Sequence, residues 1–422
     1  MNLTLKLNER QKMFFPLLML GAFFEGFDDA CINIILPFIT REFGISTKLA
    51  GIGLSIIAVG TMLSFFVVRL ADKYGRKPIF MNCVYGYAIL SFLSGLAPDP
   101  YVLVGLQMIA RIFLIGCWSV GFIIISEEFS TESRGTAIAV FQLMAVFGAF
   151  AVASMLSGLE YFPWGWRTLL FAGALPLIPA YIFRDRLPET QRFLSYKEGS
   201  SDNSGDKKDK PGTFEIWKPP YGKYVAAMAL VWILLYFGIK GGLNFFAMHA
   251  VNDLKWSAKL LSYVLMAQIF VSFGIIYING KVLDRIGRKA GATFIIVIGV
   301  VSSIGSFVLT DFWFVVAAAC LMQGFKTSYL VIGSTMTNEL FPIRFRSNAT
   351  AWCNNILGRL GQVFVPTVVG LLSVYMSLGD AVAIAVALPI IALFIIWALP
   401  ESSVVARTND QLEAKLTSDL SK

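Results

Sequence analysis

The sequence predicts an all-α membrane protein with twelve transmembrane helices in two pseudo-symmetric six-helix bundles. Three observations predict it. Hydrophobic residues make up 56% of the 422 and charged residues 15%, a balance too apolar for a surface that faces water. Twelve apolar stretches are each long enough for the roughly 20 residues a bilayer core requires. Signatures in one half recur in the other at one constant offset.

The spans are expected near 14–39, 48–72, 78–98, 101–126, 135–159, 167–184, 224–250, 258–281, 290–310, 312–338, 347–375 and 379–400. Between the sixth and seventh, the polar run Ser200–Pro211 cannot bury a core and reads as a flexible linker. The expected organisation is a first bundle over 1–186, a linker over 187–222, a second bundle over 223–402 and a tail over 403–422. Of the 35 Lys and Arg, 26 flank the even-to-odd turns or the termini, 5 sit on the opposite side (Arg41, Lys48, Arg167, Lys255, Lys259) and 4 are mid-span. That bias places both termini and the linker in the cytoplasm, in a chain expected in the cell's inner (plasma) membrane. The polar start precedes a span too long for a signal-peptide core, with no small-residue cleavage site after it, so no processing is expected.

Composition also excludes several function classes. Cys31, Cys83, Cys117, Cys320 and Cys353 fall inside apolar stretches without CxxC spacing, so neither a disulfide framework nor a zinc site is indicated, and no metal or cofactor is expected. The net charge of +8 is strung between apolar segments rather than gathered on one face, which is a topology signal and not a nucleic-acid footprint. There is no GxxxxGK[ST] loop, no metal-ligand cluster and no nucleophile with a nearby histidine. An enzyme and an ATP-driven pump are therefore disfavoured.

The repeat is carried by Asp72-Lys-Tyr-Gly-Arg76-Lys77, which maps onto Asp284-Arg-Ile-Gly-Arg288-Lys289. Glu127 with Arg134 maps onto Glu339 with Arg346, and Pro188-Glu189 onto Pro400-Glu401, all with the same displacement along the chain. Parallel six-helix repeats place a solute site where they meet, near the bilayer midplane.

At these motifs the chain resembles the major facilitator superfamily over all but the linker and the tail. The nearest likeness is to the branch of sugar porters and organic-ion transporters. It rests on Arg69-Leu-Ala-Asp72-Lys-Tyr-Gly75-Arg76-Lys77, Glu127 through Arg134-Gly135, Gln142-Leu143, Trp166-Arg167 and Pro188-Glu-Thr-Gln-Arg192-Phe-Leu194. Glu25-Gly-Phe-Asp28 is similar to the Asp-Gly-Tyr-Asp stretch of aromatic-acid and proton symporters. The resemblance implies a secondary transporter working by alternating access, a monomer whose partners are the bilayer, a small-molecule solute and a proton. It implies that Asp72, Arg76 and Lys77, with Asp284 and Arg288, hold an inner gate, and that Glu127 with Arg134 forms a companion ion pair, echoed by Glu339 and Arg346. The chain departs from the sugar porters at Leu330-Val-Ile-Gly333 with Ser334, which disfavours a hexose; it echoes their helix 7 pattern only faintly, at Gly242-Leu-Asn244, and the spacing from Arg111 to Gly116 and Gly121 implies a different packing face for span 4.

A charge at mid-span costs about 2.5 to 3.5 kcal/mol on insertion scales and is a functional candidate by default. Seven stand there: Glu25, Asp28 and Asp29 in span 1, Arg111 in span 4, Lys240 in span 7, Lys326 in span 10 and Arg359 in span 11. In the superfamily fold, spans 1, 4, 7 and 10 line the central cavity. Glu25 and Asp29 share a helix face, with Asp28 turned about 100 degrees from its neighbour. Asp28 and Lys240 occupy equivalent positions of the repeat, and a pair between them is expected. The three carboxylates are assigned to proton coupling, and Arg111, Lys240 and Lys326 to an anionic substrate, with Gln142 and Asn244 as neutral contacts; Gln268, Gln323, Asn354 and Asn355 are weaker candidates. Arg359 reads as an ion-pairing residue within its bundle and His249 as a polar cap. The expected function is proton-coupled symport of a small organic anion. The alternatives are an organic-cation efflux antiporter, which the mid-span lysines disfavour, a neutral sugar porter, and a non-transporting sensor, which does not need a gate motif in each half.

Overall fold

With no water in the hydrocarbon layer, every backbone amide must be satisfied within the chain, and helices achieve this locally. The computed structural model describes residues 7–184, 187–191, 193, 194 and 214–402. The run Ser200–Pro211, Arg192 and the tail from 403 lie outside the described residues. Among the described residues the chain is helical, with no strand.

The helices are α1 Glu9–Glu42, α2 Thr47–Tyr74, α3 Arg76–Gly95, α4 Pro100–Glu128, α5 Thr131–Leu156, α6 Arg167–Ala172, α7 Leu177–Phe183, α8 Gly222–Asn252, α9 Ala258–Arg285, α10 Arg288–Val308, α11 Phe312–Leu340, α12 Ile343–Thr350, α13 Arg359–Leu372, α14 Leu378–Ala387 and α15 Pro389–Ala398. Among the described residues ten helices are long and apolar enough to cross a membrane. The first span, α1, carries the three helix 1 carboxylates, and the sixth, Arg167–Phe183, is shorter. Together they make the twelve-helix fold.

Three spans are interrupted. The sixth breaks between α6 and α7 at Gly173–Pro176. The twelfth breaks at Pro389, the first residue of α15, where the missing amide removes a ladder bond. The eleventh runs through α12, a π-helical segment Ala351–Gly358 and α13.

One pair of capped helix starts repeats as the motifs do. Asp99 caps α4 by accepting from the amides of Tyr101 (2.8 Å) and Val102 (3.0 Å), and Asp311, its counterpart in the second repeat, caps α11 through Trp313 and Phe314. Each cap satisfies amides that a helix start leaves open.

The chain divides into two compact units. One takes Met1–Ser46, Gly53–Asp206 and Ala250–Met266, the other Thr47–Ile52, Lys207–His249 and Ala267–Lys422. In the first, α1 lies against α5 at backbone distance, because Gly26 faces the Ala145 carbonyl and Gly148 faces the Phe23 carbonyl. Small residues are what allow this approach between membrane helices. In the second, Gly361 of α13 meets the Ile233 carbonyl of α8 in the same way, while Trp232 is buried and donates to Thr337 Oγ1 at 3.0 Å.

A Cβ at Gly148 would overlap the α1 backbone, whereas Gly135 on the same helix has nothing within 4 Å. Gly148→Ala is expected to destabilise the detergent-solubilised protein by about 1 to 3 kcal/mol, seen as a lower midpoint in thermal size-exclusion assays. Gly135→Ala should leave the midpoint unchanged or slightly raised.

Candidate functional site

Two clusters of charge stand at matching ends of the units. In the first, Arg76 starts α3 and its guanidinium meets Glu127 of α4 at 3.0 Å and Asp72 of α2 at 3.2 Å, and donates to the Ala71 carbonyl at 3.0 Å. Glu127 also accepts from Thr190 Oγ1 at 2.7 Å. Glu189 takes the Arg76 amide at 2.8 Å and the Lys77 amide at 3.2 Å, so a carboxylate sits on the positive end of α3. In the second, Arg288 meets Glu339 and Asp284, both at 2.7 Å, and the Leu283 carbonyl at 3.0 Å. Ser402 donates to Glu339 at 2.6 Å, and Glu401 takes the Arg288 amide at 3.0 Å. Residue for residue, the second cluster is the first carried along by the offset of the repeat.

The companion pair is formed differently from the expectation. Glu127 is engaged by Arg76 and Thr190, and Arg134 folds back to donate to the Phe129 carbonyl at 3.2 Å. Arg346 does the same with Phe341 at 3.3 Å. The reason is local: each arginine closely follows a carbonyl that the end of α4 or α11 leaves open. Glu189 and Glu401 entered the sequence reading only as markers of the repeat, and neither they nor Thr190 and Ser402 were assigned to the gate. The two hydroxyl residues stand at equivalent positions of the repeat, and that was the signal that could have found them.

These clusters begin both α3 and α10 after a glycine in a conformation side chains avoid, Gly75 at φ 105° and Gly287 at φ 91°. At Gly75 a side chain would also run into the Glu189 carboxylate.

Midway along the spans, the three helix 1 carboxylates part company. Asp29, half exposed, forms an ion pair with the buried Arg111 of α4. Asp28 is buried and accepts from Ser91 Oγ of α3 at 2.8 Å. Ser91 also lies 3.2 Å from the Leu170 carbonyl of α6. Glu25 is half-buried on the same helix. Thus α1 turns Asp28 to α3 and Asp29 to α4, as the roughly 100 degrees between neighbours requires. Ser91 gave no sequence signal, since one serine in an apolar helix is ordinary. Gln142 is exposed on α5.

In the second unit, Lys240 is half-buried and Asn244 buried on α8, and Lys326 on α11 is fully shielded. Asn354, in the π-helical segment, accepts from Tyr236 Oη at 2.9 Å. Gln323 is half-buried, Gln268 and His249 are buried, and Arg359 opens α13. Among the described residues no group of His, Cys, Asp and Glu is arranged to hold a metal ion.

A sequence model of the Major Facilitator Superfamily matches residues 18–278 and 230–421. The niacin transporter NiaP of Acinetobacter baylyi is 23% identical over 383 residues, covering 83% of this chain and 84% of its own. The sialic acid transporter NanX of Escherichia coli is 26% identical over 381 residues, covering 85% and 87%. The crystal structure of a bacterial homolog of the human lysosomal transporter Spinster, inward-facing and unoccupied, superposes with a TM-score of 0.72 at 16% identity over 96% of this chain and 99% of that one; it shows the shared fold.

The side chains of Arg76 and Glu127 are 13% and 7% exposed, that of Asp72 72%. Arg76→Ala strands a shielded carboxylate and is expected to cost about 3 to 5 kcal/mol. Asp72→Asn removes a solvated partner and should cost no more than about 1 kcal/mol. Denaturation of the two purified variants, read by tryptophan fluorescence, checks the contrast.

Proposed function

The chain belongs to the Major Facilitator Superfamily and is a multi-pass membrane transporter; from that premise we propose that it takes up a small organic anion together with a proton, by alternating access. The observation that carries this is the Asp29–Arg111 pair in the middle of α1 and α4.

A guanidinium as shielded as Arg111 needs an anion beside it, because an uncompensated charge away from water is strongly unfavourable. Asp29, with 37% of its side chain exposed, is the member of the pair that solvent reaches. When Asp29 takes a proton, Arg111 loses its counter-charge and accepts a substrate carboxylate in its place, which its planar fork can hold with two parallel hydrogen bonds. When Asp29 gives the proton up, it recaptures Arg111 and the substrate leaves. One proton therefore accompanies one carboxylate, and for a monocarboxylate the cycle moves no net charge. The relatives support this substrate class, since niacin and sialic acid, named for NiaP and NanX, are both carboxylic acids. The clusters around Arg76 and Arg288 are the proposed gate, and the charge bias of the loops supports a plasma-membrane protein with both termini in the cytoplasm.

Uptake of radiolabelled nicotinate or N-acetylneuraminate into proteoliposomes is expected to follow an inside-alkaline pH gradient and to ignore a valinomycin-imposed potential for the monocarboxylate. Asp29→Asn should keep carboxylate exchange and lose accumulation driven by the gradient. Arg111→Lys should weaken apparent affinity by about 10- to 100-fold, the worth of a charge-assisted hydrogen bond. Gradient-driven accumulation that survives Asp29→Asn would remove the coupling residue.

The described cysteines are all buried, so introduced thiols can be read against a quiet background. Tyr161→Cys and Tyr375→Cys, each at a site 87% exposed, should label with an impermeant maleimide from outside intact cells, and Lys73→Cys only after lysis. The opposite pattern would invert the topology.

A further inference from the structure

Lys326 is fully shielded from solvent, and among the described residues its ammonium has no hydrogen-bond acceptor. It rests on Gly242 of α8. A Cβ at position 242 would overlap Nζ and would fall 3.1 Å from Lys326 Cε and 3.0 Å from Met322 Sδ. The neighbouring Gly241 is different, since a Cβ there would meet only the side chains of Val386, Val365 and Ala385 at 3.3 to 3.7 Å. The notch that seats the ammonium is therefore made by the missing side chain of one residue.

The first repeat shows what packing alone would use. At its equivalent positions stand Leu114 for Lys326 and Ala30 for Gly242, and Leu114 is fully buried. A leucine fills the place with no unmet charge, and alanine favours a helix over glycine. The second repeat departs from both choices at once, and its two departures touch each other. An unpartnered ammonium away from water is among the least favourable groups a fold can hold, and its four-carbon stem lets it move to a partner when one arrives.

We propose that Lys326 is an anion-binding group of the second repeat, and that Gly242 is the specificity-determining residue that seats its ammonium while no carboxylate is bound. The inference rests on the organic-anion reading above and deepens it. The ligand is a carboxylate, which draws Nζ out of the notch; an uncharged amide of the same shape gives the ammonium no counter-charge and leaves it seated.

The test uses the full chain in proteoliposomes, with nicotinate, N-acetylneuraminate and benzoate as the acids and nicotinamide as the uncharged control. Lys326→Leu, alone and with Gly242→Ala, rebuilds the first repeat's pair in the second. Both variants are expected to fold with a thermal midpoint at or above that of the natural protein, and to lose about 10- to 100-fold in kcat/KM for the acid the protein carries. Gly242→Ala alone keeps the charge and removes its seat, so mass spectrometry after treatment with an acetylating N-hydroxysuccinimide ester should find Lys326 modified there and unmodified in the natural protein. Carboxylate uptake unchanged by Lys326→Leu, or a Gly242→Ala protein with natural kinetics and an unmodified Lys326, overturns the proposal. A natural protein that carries a sugar or an organic cation but none of the acids overturns the organic-anion reading instead.

Discussion

Away from water, a polar group must find its partner inside the protein, and that single constraint organises what has been described. It makes the backbone of the described spans helical, apart from the breaks in the sixth and twelfth. It places Arg76 against Glu127 and Arg288 against Glu339, where neither member of a pair is left to solvent. It sets Asp29 on Arg111 and Asp28 on Ser91. Lys326 Nζ is among the shielded side-chain atoms that have no hydrogen-bond partner among the described residues, and it lies against a glycine.

The repeat shows which parts of this arrangement are scaffold and which are specialised. The Asp99 and Asp311 caps, the arginine clusters and the glycines before α3 and α10 occur twice, at one offset, with matching bonds. The mid-span charges do not. Asp28 is answered in sequence by Lys240, Asp29 by Gly241, Arg111 by Gln323 and Lys326 by Leu114. Symmetric surroundings thus hold an asymmetric set of charges, which suits two halves that share a mechanical task and divide the chemical one.

Much of the fold was legible in the sequence because hydropathy and the cost of burying charge act along the chain. Span number and span order follow from composition over windows of about 20 residues, and the paired loop motifs from the recurrence of signatures at one offset. What hydropathy does not report is rotation about a helix axis. Hence Asp28, expected to pair with Lys240, accepts instead from Ser91, and Glu127 was matched with the arginine nearest in sequence although Arg76 reaches it from 51 residues away. The breaks in spans six and twelve had signals, Gly173 with Pro176 and Pro389, which lie within stretches otherwise apolar enough to read as continuous. The π-helical stretch from Ala351 to Gly358 had none, because it depends on what α8 offers it, Tyr236 for Asn354 and Trp232 beneath Gly358.

The glycines before α3 and α10 carry a mechanical consequence. Between Tyr74 at the end of α2 and Arg76 at the start of α3 stands one residue, its conformation closed to other side chains and its flank occupied by Glu189. A joint that short leaves no slack. Displacement at the end of α2 bears directly on the start of α3, with a single residue between them to absorb it.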